Sequence, residues 1–301
     1  MQIPDLLVER TKYIRRNFLL KLGLLGVILI FFVVYLAKNK GGSVASIQKE
    51  YIGIIRIDNI IADDIAFDKM LDEIPENKLI KALVVEVNSP GGSSGASEKI
   101  YHKLKKIQQK IPIVTSMGSL AASGGYLVSL ASNRIFAMNM TITGSIGVIF
   151  QTAQIVELAE KLGVKFKNYK SSEFKASPNA REIASPEVEK VIMDLIYDSH
   201  NYFLSLVAEN RKLDKDFARK IGDGRIFTGR QALENKLIDE IGTVDDAIAW
   251  LKKTYKLEKL STKPVEPKKI SSLLSIILEK LEENTKMITG AFDSGLFTIY
   301  R

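Results

Sequence analysis

The chain has 301 residues, of which 46% are hydrophobic, so it is long enough for one sizeable α/β domain with appendages. Its formal net charge of +8 permits contact with anionic lipid or nucleic acid but requires neither. The absence of cysteine excludes disulfides, a thiolate nucleophile and thiolate metal ligands. With neither zinc-ligand spacing nor an aromatic-rich basic motif in the sequence, we expect no metal, no cofactor and no nucleic-acid partner.

The first predicted element is a transmembrane helix at residues 18–37, an apolar run of the length that crosses a bilayer. Lys21 lies near one end, where its ammonium group can reach the headgroups. Basic residues are more numerous before the run than after it, which favours a cytoplasmic N-terminus and an exported remainder. A cleaved signal peptide, with Ser43-Val44-Ala45 as the cleavage site, is the alternative.

After a polar linker, the sequence alternates between strand and helix patterns. Strands are predicted at Tyr51–Ile57, Ala82–Val87 and Ile113–Met117 from their apolar, β-branched residues. Helices are predicted at 95–110 and from Ser123 to about residue 132. This alternation indicates parallel βαβ units, in which sites lie at the carboxyl ends of the strands.

The later part of the chain is predicted to be mostly helical. A long helix begins at Ser185-Pro186, and the capping-box pattern Thr228–Gln231 opens another. The compact domain is expected to end near Tyr255. Beyond a proline-containing linker, Ile270–Leu281 has the apolar spacing of an amphipathic helix, and Gly295–Tyr300 is an apolar end.

Two small-residue segments at strand ends are candidates for a catalytic site. Ser123 lies among alanines and glycines, which let a backbone turn sharply and let a substrate carbonyl approach. Gly91 and Gly92 follow a buried strand, where backbone N–H groups can stabilise an oxyanion. The alternatives are a helix-capping serine and an ordinary strand-to-helix turn.

A serine nucleophile needs a base, and the sequence offers little choice. His102 and His200 both fall in predicted surface helices, away from the candidate nucleophile in sequence. A lysine can serve instead when desolvation lowers its pKa. The candidates follow Gly163, and periodicity does not choose among them: Lys165, Lys167, Lys170 and Lys175.

Four separated motifs resemble the bacterial signal peptide peptidase family of SppA type. They appear in the family's order and span roughly residues 50–250: Val87–Gly92, Ser119–Tyr126, Thr143–Val148 and Asp223–Ala232. The resemblance implies an α/β, crotonase- or ClpP-like fold of repeated ββα units and a Ser/Lys catalytic dyad. The last lysine of Lys170–Lys175 matches the family's base, although Ser172 and Ala176 depart from its pattern and Lys170 stays a rival.

The resemblance also implies a role for each site residue. Ser123 is the nucleophile, Lys175 is the general base and Ser145 positions the lysine. The oxyanion hole is assigned to backbone N–H groups of Gly91, Gly92 and Gly124.

The function implied is that of a membrane-bound serine endopeptidase that degrades remnant signal peptides and other apolar peptides. Its catalytic domain is expected to be extracytoplasmic. Its expected partners are peptides, the lipid bilayer and copies of itself. The copies are expected to form a ring or dome such as an octamer. The C-terminal tail is a further candidate ligand of the site. The implied divisions are 1–17 cytoplasmic, 18–37 transmembrane, 38–50 linker, 51–255 protease domain and 256–301 extension.

Three other functions are compatible with parts of the pattern. A crotonase-fold acyl-CoA hydratase or isomerase shares the oxyanion hole but uses carboxylates and is usually soluble. A non-catalytic membrane scaffold would have no need for Ser123, Lys175 and Ser145 together. A phage capsid-processing relative would have no need for the predicted anchor.

Overall fold

A computed structural model describes residues 21–29 and 49–267 of the chain. The chain divides into two compact units, Met1–Lys49 and Glu50–Arg301. In the first, residues 21–29 are helical. The rest of the predicted transmembrane segment at 18–37 lies outside the described residues, as do the amphipathic pattern from Ile270 and the apolar end. None of the helices within the described ranges is long and apolar enough to span a membrane.

The described part of the second unit contains eight strands joined in one sheet. Their bounds are β1 Tyr51–Ile61, β2 Ile80–Gly92, β3 Ile113–Ala122, β4 Arg134–Ala137, β5 Ile142–Gly144, β6 Ile226–Thr228, β7 Glu240–Ile241 and β8 Ser261–Pro264. The path β6-β5-β3-β2-β1-β8 is parallel except between β5 and β6, and β4 joins β3 to β7. This sheet confirms the predicted α/β class, and along the first three strands the chain alternates β-α-β.

The described helices of this unit include the predicted ones, of which that after Ser123 is shorter than expected, and several that were not predicted. Their bounds are α1 Ile65–Glu73, α2 Ser94–Gln108, α3 Gly124–Ser129, α4 Val156–Lys161, α5 Pro186–Arg211, α6 Lys215–Ile221, α7 Gly229–Glu234 and α8 Val244–Tyr255, with a 3-10 turn at Ile74–Glu76. Ser185 caps α5 with proline at its first position, and Thr228 closes the predicted capping box with Gln231. The residues at these two helix starts therefore determine where α5 and α7 begin.

Both faces of the sheet are buried, which explains why β2 reads as a continuous apolar run. Leu83, Val85 and Val87 point into the larger core with α2 and α3, whereas Ala82 and Val84 belong to a second cluster with α8. Alternate residues of one strand thus serve two cores. The strands β2 and β3 are thus packed between these two layers.

Two boundaries differ from the sequence-based expectation. Pro90-Gly91-Gly92, predicted as a turn, continues β2, with Gly92 opposite Ile61 of β1. At the other end, Ser261–Pro264 forms β8 and pairs with β1, and Val265 N–H donates to the Ile54 carbonyl at 2.8 Å. The folded unit therefore continues past residue 255. Backbone pairing with β1 holds this proline-containing segment, and proline is tolerated there because β8 is an edge strand.

Candidate active site

Ser123 lies between the end of β3 and the start of α3, in an unusual backbone conformation. Its φ is +52°, in a region that non-glycine residues occupy only at a cost of about 1–3 kcal/mol when their surroundings impose it. Its side chain makes no capping hydrogen bond to α3. The helix-capping interpretation of this serine is therefore wrong, and its hydroxyl stays available at the positive end of a short helix.

Gly91 packs directly against the backbone of the candidate nucleophile. A Cβ added at Gly91 would lie 2.6 Å from the Gly124 nitrogen and 2.9 Å from the Ser123 Cβ, and the φ of Gly91 is +97°. Only glycine fits this contact between the ends of β2 and β3. Gly91 N–H donates to the buried Ser89 hydroxyl at 3.1 Å, and Ser89 in turn donates to the Asn59 carbonyl at 2.5 Å.

Gly92 and Gly124 line the same cavity as Ser123. Gly92 has a φ of +157°, and a Cβ there would overlap the Ile61 carbonyl of β1. Gly124 is the first residue of α3, so its N–H group has no partner within the helix. The structure thus brings Gly91, Gly92 and Gly124 together around Ser123, and the assignment of their N–H groups to an oxyanion hole stays a prediction.

Ser145 lies immediately beyond β5, beside the backbone of the nucleophile. Ser123 N–H donates to the Gly144 carbonyl at 2.8 Å, and Ser145 N–H donates to the Arg225 carbonyl at the same distance. Ser145 is half-buried with a φ of +50°. The strand pair β3–β5 therefore places the predicted positioning serine next to Ser123 along the ladder.

Lys175 does not share a cavity with Ser123 in the single chain. It lies in an exposed turn where its N–H donates to the Ser172 carbonyl at 3.2 Å, and it is not among the residues lining the cavity. The turn belongs to residues 149–185, which we call the 149–185 excursion. The chain by itself does not bury this lysine, so the desolvation that a lysine base requires would have to come from another molecule.

Lys170, the rival base, is paired with a carboxylate. Its ammonium is 2.7 Å from Glu182 and donates to the Ser177 hydroxyl and the Glu173 carbonyl. The lysine, followed by the Ser177 hydroxyl, lowers the pKa of Glu182 from 4.5 to about 2. The Lys170 side chain donates to two neutral acceptors and to a carboxylate within its own chain, which argues against Lys170 as the base.

The cavity at Ser123 has a volume of about 340 Å³. Its remaining wall comes from α2, α3, the segment after β5 and α5: Ser97, Glu98, Leu127, Gly147, Val148, Asp198, Ser199, Tyr202, Phe203 and Leu206 among others. Neither histidine lines it. His102 contacts the Tyr202 hydroxyl at 3.3 Å, and His200 contacts the Gly222 carbonyl at 2.6 Å.

The contribution of α5 to the cavity was not predicted from the sequence. Asp198, Tyr202 and Leu206 follow one another at four-residue intervals on one helix face, about 80 residues from Ser123 in the chain. The spacing indicates a helix face but not what the face contacts. Among the described residues, no group of three or more acidic or histidine side chains could hold a metal ion.

Comparison with known proteins places the chain among peptidases. Residues 105–258 match the model of Peptidase family S49. Over 192 residues the chain is 42% identical to an Enterococcus faecium protein named as a signal peptide peptidase SppA, covering 64% of this chain and 56% of that one. It is 34% identical to Protease 4 of Haemophilus influenzae over 193 residues, 64% of this chain and 31% of the relative. The matches thus span about half or less of these relatives.

Two solved structures resemble this chain more distantly. One is a point mutant of 1510-N, a membrane-bound stomatin-specific protease, with 19% identity and a TM-score of 0.48 over 73% of this chain and 99% of that one. The other is a point mutant of ClpP1 from Listeria monocytogenes, with 16% identity and a TM-score of 0.45 over 65% of this chain and 94% of that one.

Proposed function

The chain belongs to peptidase family S49, and on that premise we propose that it is a membrane-bound serine endopeptidase with Ser123 as nucleophile and Lys175 as general base. One observation carries the proposal. Ser123 is held at φ +52°, without a capping bond, at the mouth of a cavity that Gly92 and Gly124 also line. Strain of this kind is kept where it orients a reactive group.

The proposed reaction is acyl transfer followed by hydrolysis. The neutral lysine takes the proton of the Ser123 hydroxyl as its oxygen attacks a peptide carbonyl. The Gly124 N–H, with Gly92 beside it, stabilises the oxyanion at the positive end of α3, while the Gly91 N–H donates to the Ser89 hydroxyl. The lysine then donates the proton to the leaving amine, and water hydrolyses the acyl-enzyme. Ser145 positions the lysine from the adjacent strand.

We propose that Lys175 acts on the Ser123 of a neighbouring copy, in a ring or dome of identical subunits such as an octamer. Two observations support this arrangement. Lys175 is solvent-exposed in the single chain, and the excursion that carries it exposes many large apolar side chains, among them Ile149 at 82% and Tyr169 at 93%. Apolar surface on this scale marks an interaction site. A heterologous contact repeated around a ring would cover it and desolvate the lysine.

The membrane anchor, the extracytoplasmic location and the substrate class are parts of the same proposal. The apolar run at 18–37, with its basic flank, supports a single-pass anchor with a cytoplasmic N-terminus. Remnant signal peptides are apolar segments released in the membrane, which suits an anchored peptidase. The apolar end at Gly295–Tyr300 is proposed as an internal ligand or self-processing site.

The test is hydrolysis of a fluorogenic peptide by the full chain. The variants are Ser123→Ala, Lys175→Ala and Lys170→Ala. Activity should be lost in the first two and kept in the third, which serves as the matched lysine control because its ammonium is paired with Glu182. Activity that survives Lys175→Ala would refute the base assignment.

Mixing the two inactive variants tests the shared site. A Ser123→Ala subunit still carries the lysine, and a Lys175→Ala subunit still carries the serine. If the lysine acts on a neighbour, random co-assembly at equal amounts restores about a quarter of the sites, because each needs one intact serine and one intact neighbour. If both residues act within one chain, the mixture stays inactive, which would refute the sharing.

A further inference from the structure

The cavity at Ser123 is placed to receive the side chain of the residue that precedes the scissile bond. That residue's Cα is bonded to the carbonyl carbon that the serine attacks, so its side chain starts within a few ångströms of Ser123. The cavity is lined by Ser123, Gly92 and Gly124 at this reacting end. Its volume of about 340 Å³ exceeds that of any single side chain, so a long one can extend through it.

Serine hydroxyls and four apolar side chains share the rest of the lining, and the Ser97 hydroxyl lies against the position where a Cβ of Gly124 would stand. Leu127 of α3 and Phe203 and Leu206 of α5 line the cavity, and each is buried in the core. Val148 contributes from the segment after β5. Contact with these apolar groups favours a substrate side chain made of methylene groups over a short polar one, because burying methylene groups removes apolar surface from water.

Two carboxylates line the same cavity, and they flank one tyrosine. Tyr202 of α5 is hydrogen-bonded to Glu98 of α2, and Asp198 lies one turn before Tyr202 on α5. The Glu98 carboxylate is also 3.5 Å from His102, outside the cavity. Burial, followed by the hydrogen bond to Glu98, raises the pKa of Tyr202, so the hydroxyl stays neutral and adds no further charge.

The lining that the single chain provides contains neither lysine nor arginine, and the neighbour's Lys175 is proposed to be neutral, so the two carboxylates stay unbalanced. This is unusual in a chain whose net charge is +8. The site therefore combines apolar walls with a negative wall, and each part has a preferred substrate group.

From this combination we infer that the site prefers peptides with lysine or arginine before the scissile bond, Glu98 and Asp198 being the residues that select the cation. The inference rests on the proposed peptidase function and specifies its substrate class. The methylenes of such a side chain would contact Leu127, Phe203 and Leu206 while its charged head reaches the carboxylates. An uncharged side chain of the same length would keep the contacts with the apolar residues and lose the attraction to the carboxylates.

The size of the preference follows from the exposure of the carboxylates. Glu98 has 44% of its side chain exposed, and Asp198 is exposed, so each attraction is screened by water. Two such contacts together correspond to a preference of about five- to tenfold in kcat/KM, falling as salt is added. A fully buried carboxylate would give a much larger preference.

The experiment compares two fluorogenic peptides that differ only before the scissile bond, one with lysine and one with norleucine. Norleucine keeps the apolar stem and lacks the ammonium. For the full chain, the ratio of kcat/KM values should be about five to ten, and it should fall to about one in the double variant Glu98→Gln/Asp198→Asn. Asp194→Asn, one turn earlier on α5 and not lining the cavity, is the matched control and should keep the wild-type ratio.

Three other outcomes would overturn the inference. A ratio near one in active wild-type enzyme, or a high ratio retained by the double variant, would show that the carboxylates do not select the cation. A double variant that no longer assembles by size-exclusion chromatography would reassign them to a subunit contact. A fluorophosphonate probe, which lacks a lysine or arginine side chain, labels a reactive serine whatever the substrate preference, so it separates these results from failure of the proposed function. If Ser123 were not labelled and no peptide were hydrolysed, the assignment of Ser123 as nucleophile would be overturned as well.

Discussion

Replacement of Gly91 by alanine tests the geometry of the site through both stability and catalysis. The added Cβ would lie 2.6 Å from the Gly124 nitrogen, 2.9 Å from the Ser123 Cβ and 3.0 Å from the Ala122 carbonyl oxygen. All three neighbours are backbone or backbone-proximal atoms of the nucleophile turn, so none can rotate away. Overpacking of this kind costs about 1–3 kcal/mol. The φ of +97° adds about 1–2 kcal/mol for a residue with a Cβ.

The sum, about 3 kcal/mol as a central value, corresponds to a fall in Tm of about 6–12 °C for a unit of this size. Any relief of the overlap moves Gly124 and Ser123, so the oxyanion donors shift and kcat should fall about 100-fold. Tm by differential scanning calorimetry and kcat on a fluorogenic peptide measure the two effects on the same full-chain sample.

Gly95→Ala is the matched control for this experiment. Gly95 lies in the first turn of α2, and a Cβ there meets nothing within 4 Å. The substitution should raise stability slightly, by about 0.5–1 kcal/mol, and leave kcat unchanged. If Gly91→Ala gave the Tm and kcat of the wild type while Gly95→Ala behaved as expected, the close packing of β2 against the nucleophile turn would be refuted.

Two further predictions concern groups away from the catalytic chemistry. Tyr126→Phe removes the buried hydroxyl that donates to the Leu237 carbonyl at 2.9 Å, so the free energy of unfolding should fall by about 1–3 kcal/mol. Urea titration measures this loss, and an unchanged midpoint would contradict the role of the hydroxyl. Because the pKa of Glu182 is lowered to about 2, mainly by Lys170, its contribution to stability is complete above about pH 4.5 and is lost as the pH falls towards 2. Protection factors for amide exchange in the excursion, which correct for the slower intrinsic exchange at low pH, should fall over that range in the wild type and stay level in Glu182→Gln; equal profiles would refute the link.

Much of the local structure could be predicted from the sequence. The apolar strands, the Ser185-Pro186 helix start and the capping box at Thr228 depend on neighbouring residues, and all are confirmed. The family resemblance is confirmed by the match to Peptidase family S49. The predicted turn at Gly91-Gly92 was wrong, because pairing with β1 extends the strand to its last glycine.

The catalytic assignments remain proposals of different kinds. Ser123, Ser145 and the three glycines are brought together by the order of β2, β3 and β5 in the sheet, which local patterns alone do not reveal. Lys175 is not brought to them by this chain. The membrane anchor and the tail at residues 295–300 stay predictions from the sequence, since both lie largely or wholly outside the described residues.

The sequence by itself determined the α/β class, the family and the residue types that the chemistry requires, because these depend on periodicity and on short contiguous motifs. Only the tertiary structure decided that Ser123 is strained rather than a helix cap, that Lys170 is held in an ion pair, and that α5 supplies an acidic side to the cavity. The physical reason is common to all three. Backbone strain, ion pairing and cavity lining are set by neighbours distant in the chain or by tertiary packing, and residue spacing along the sequence does not encode them.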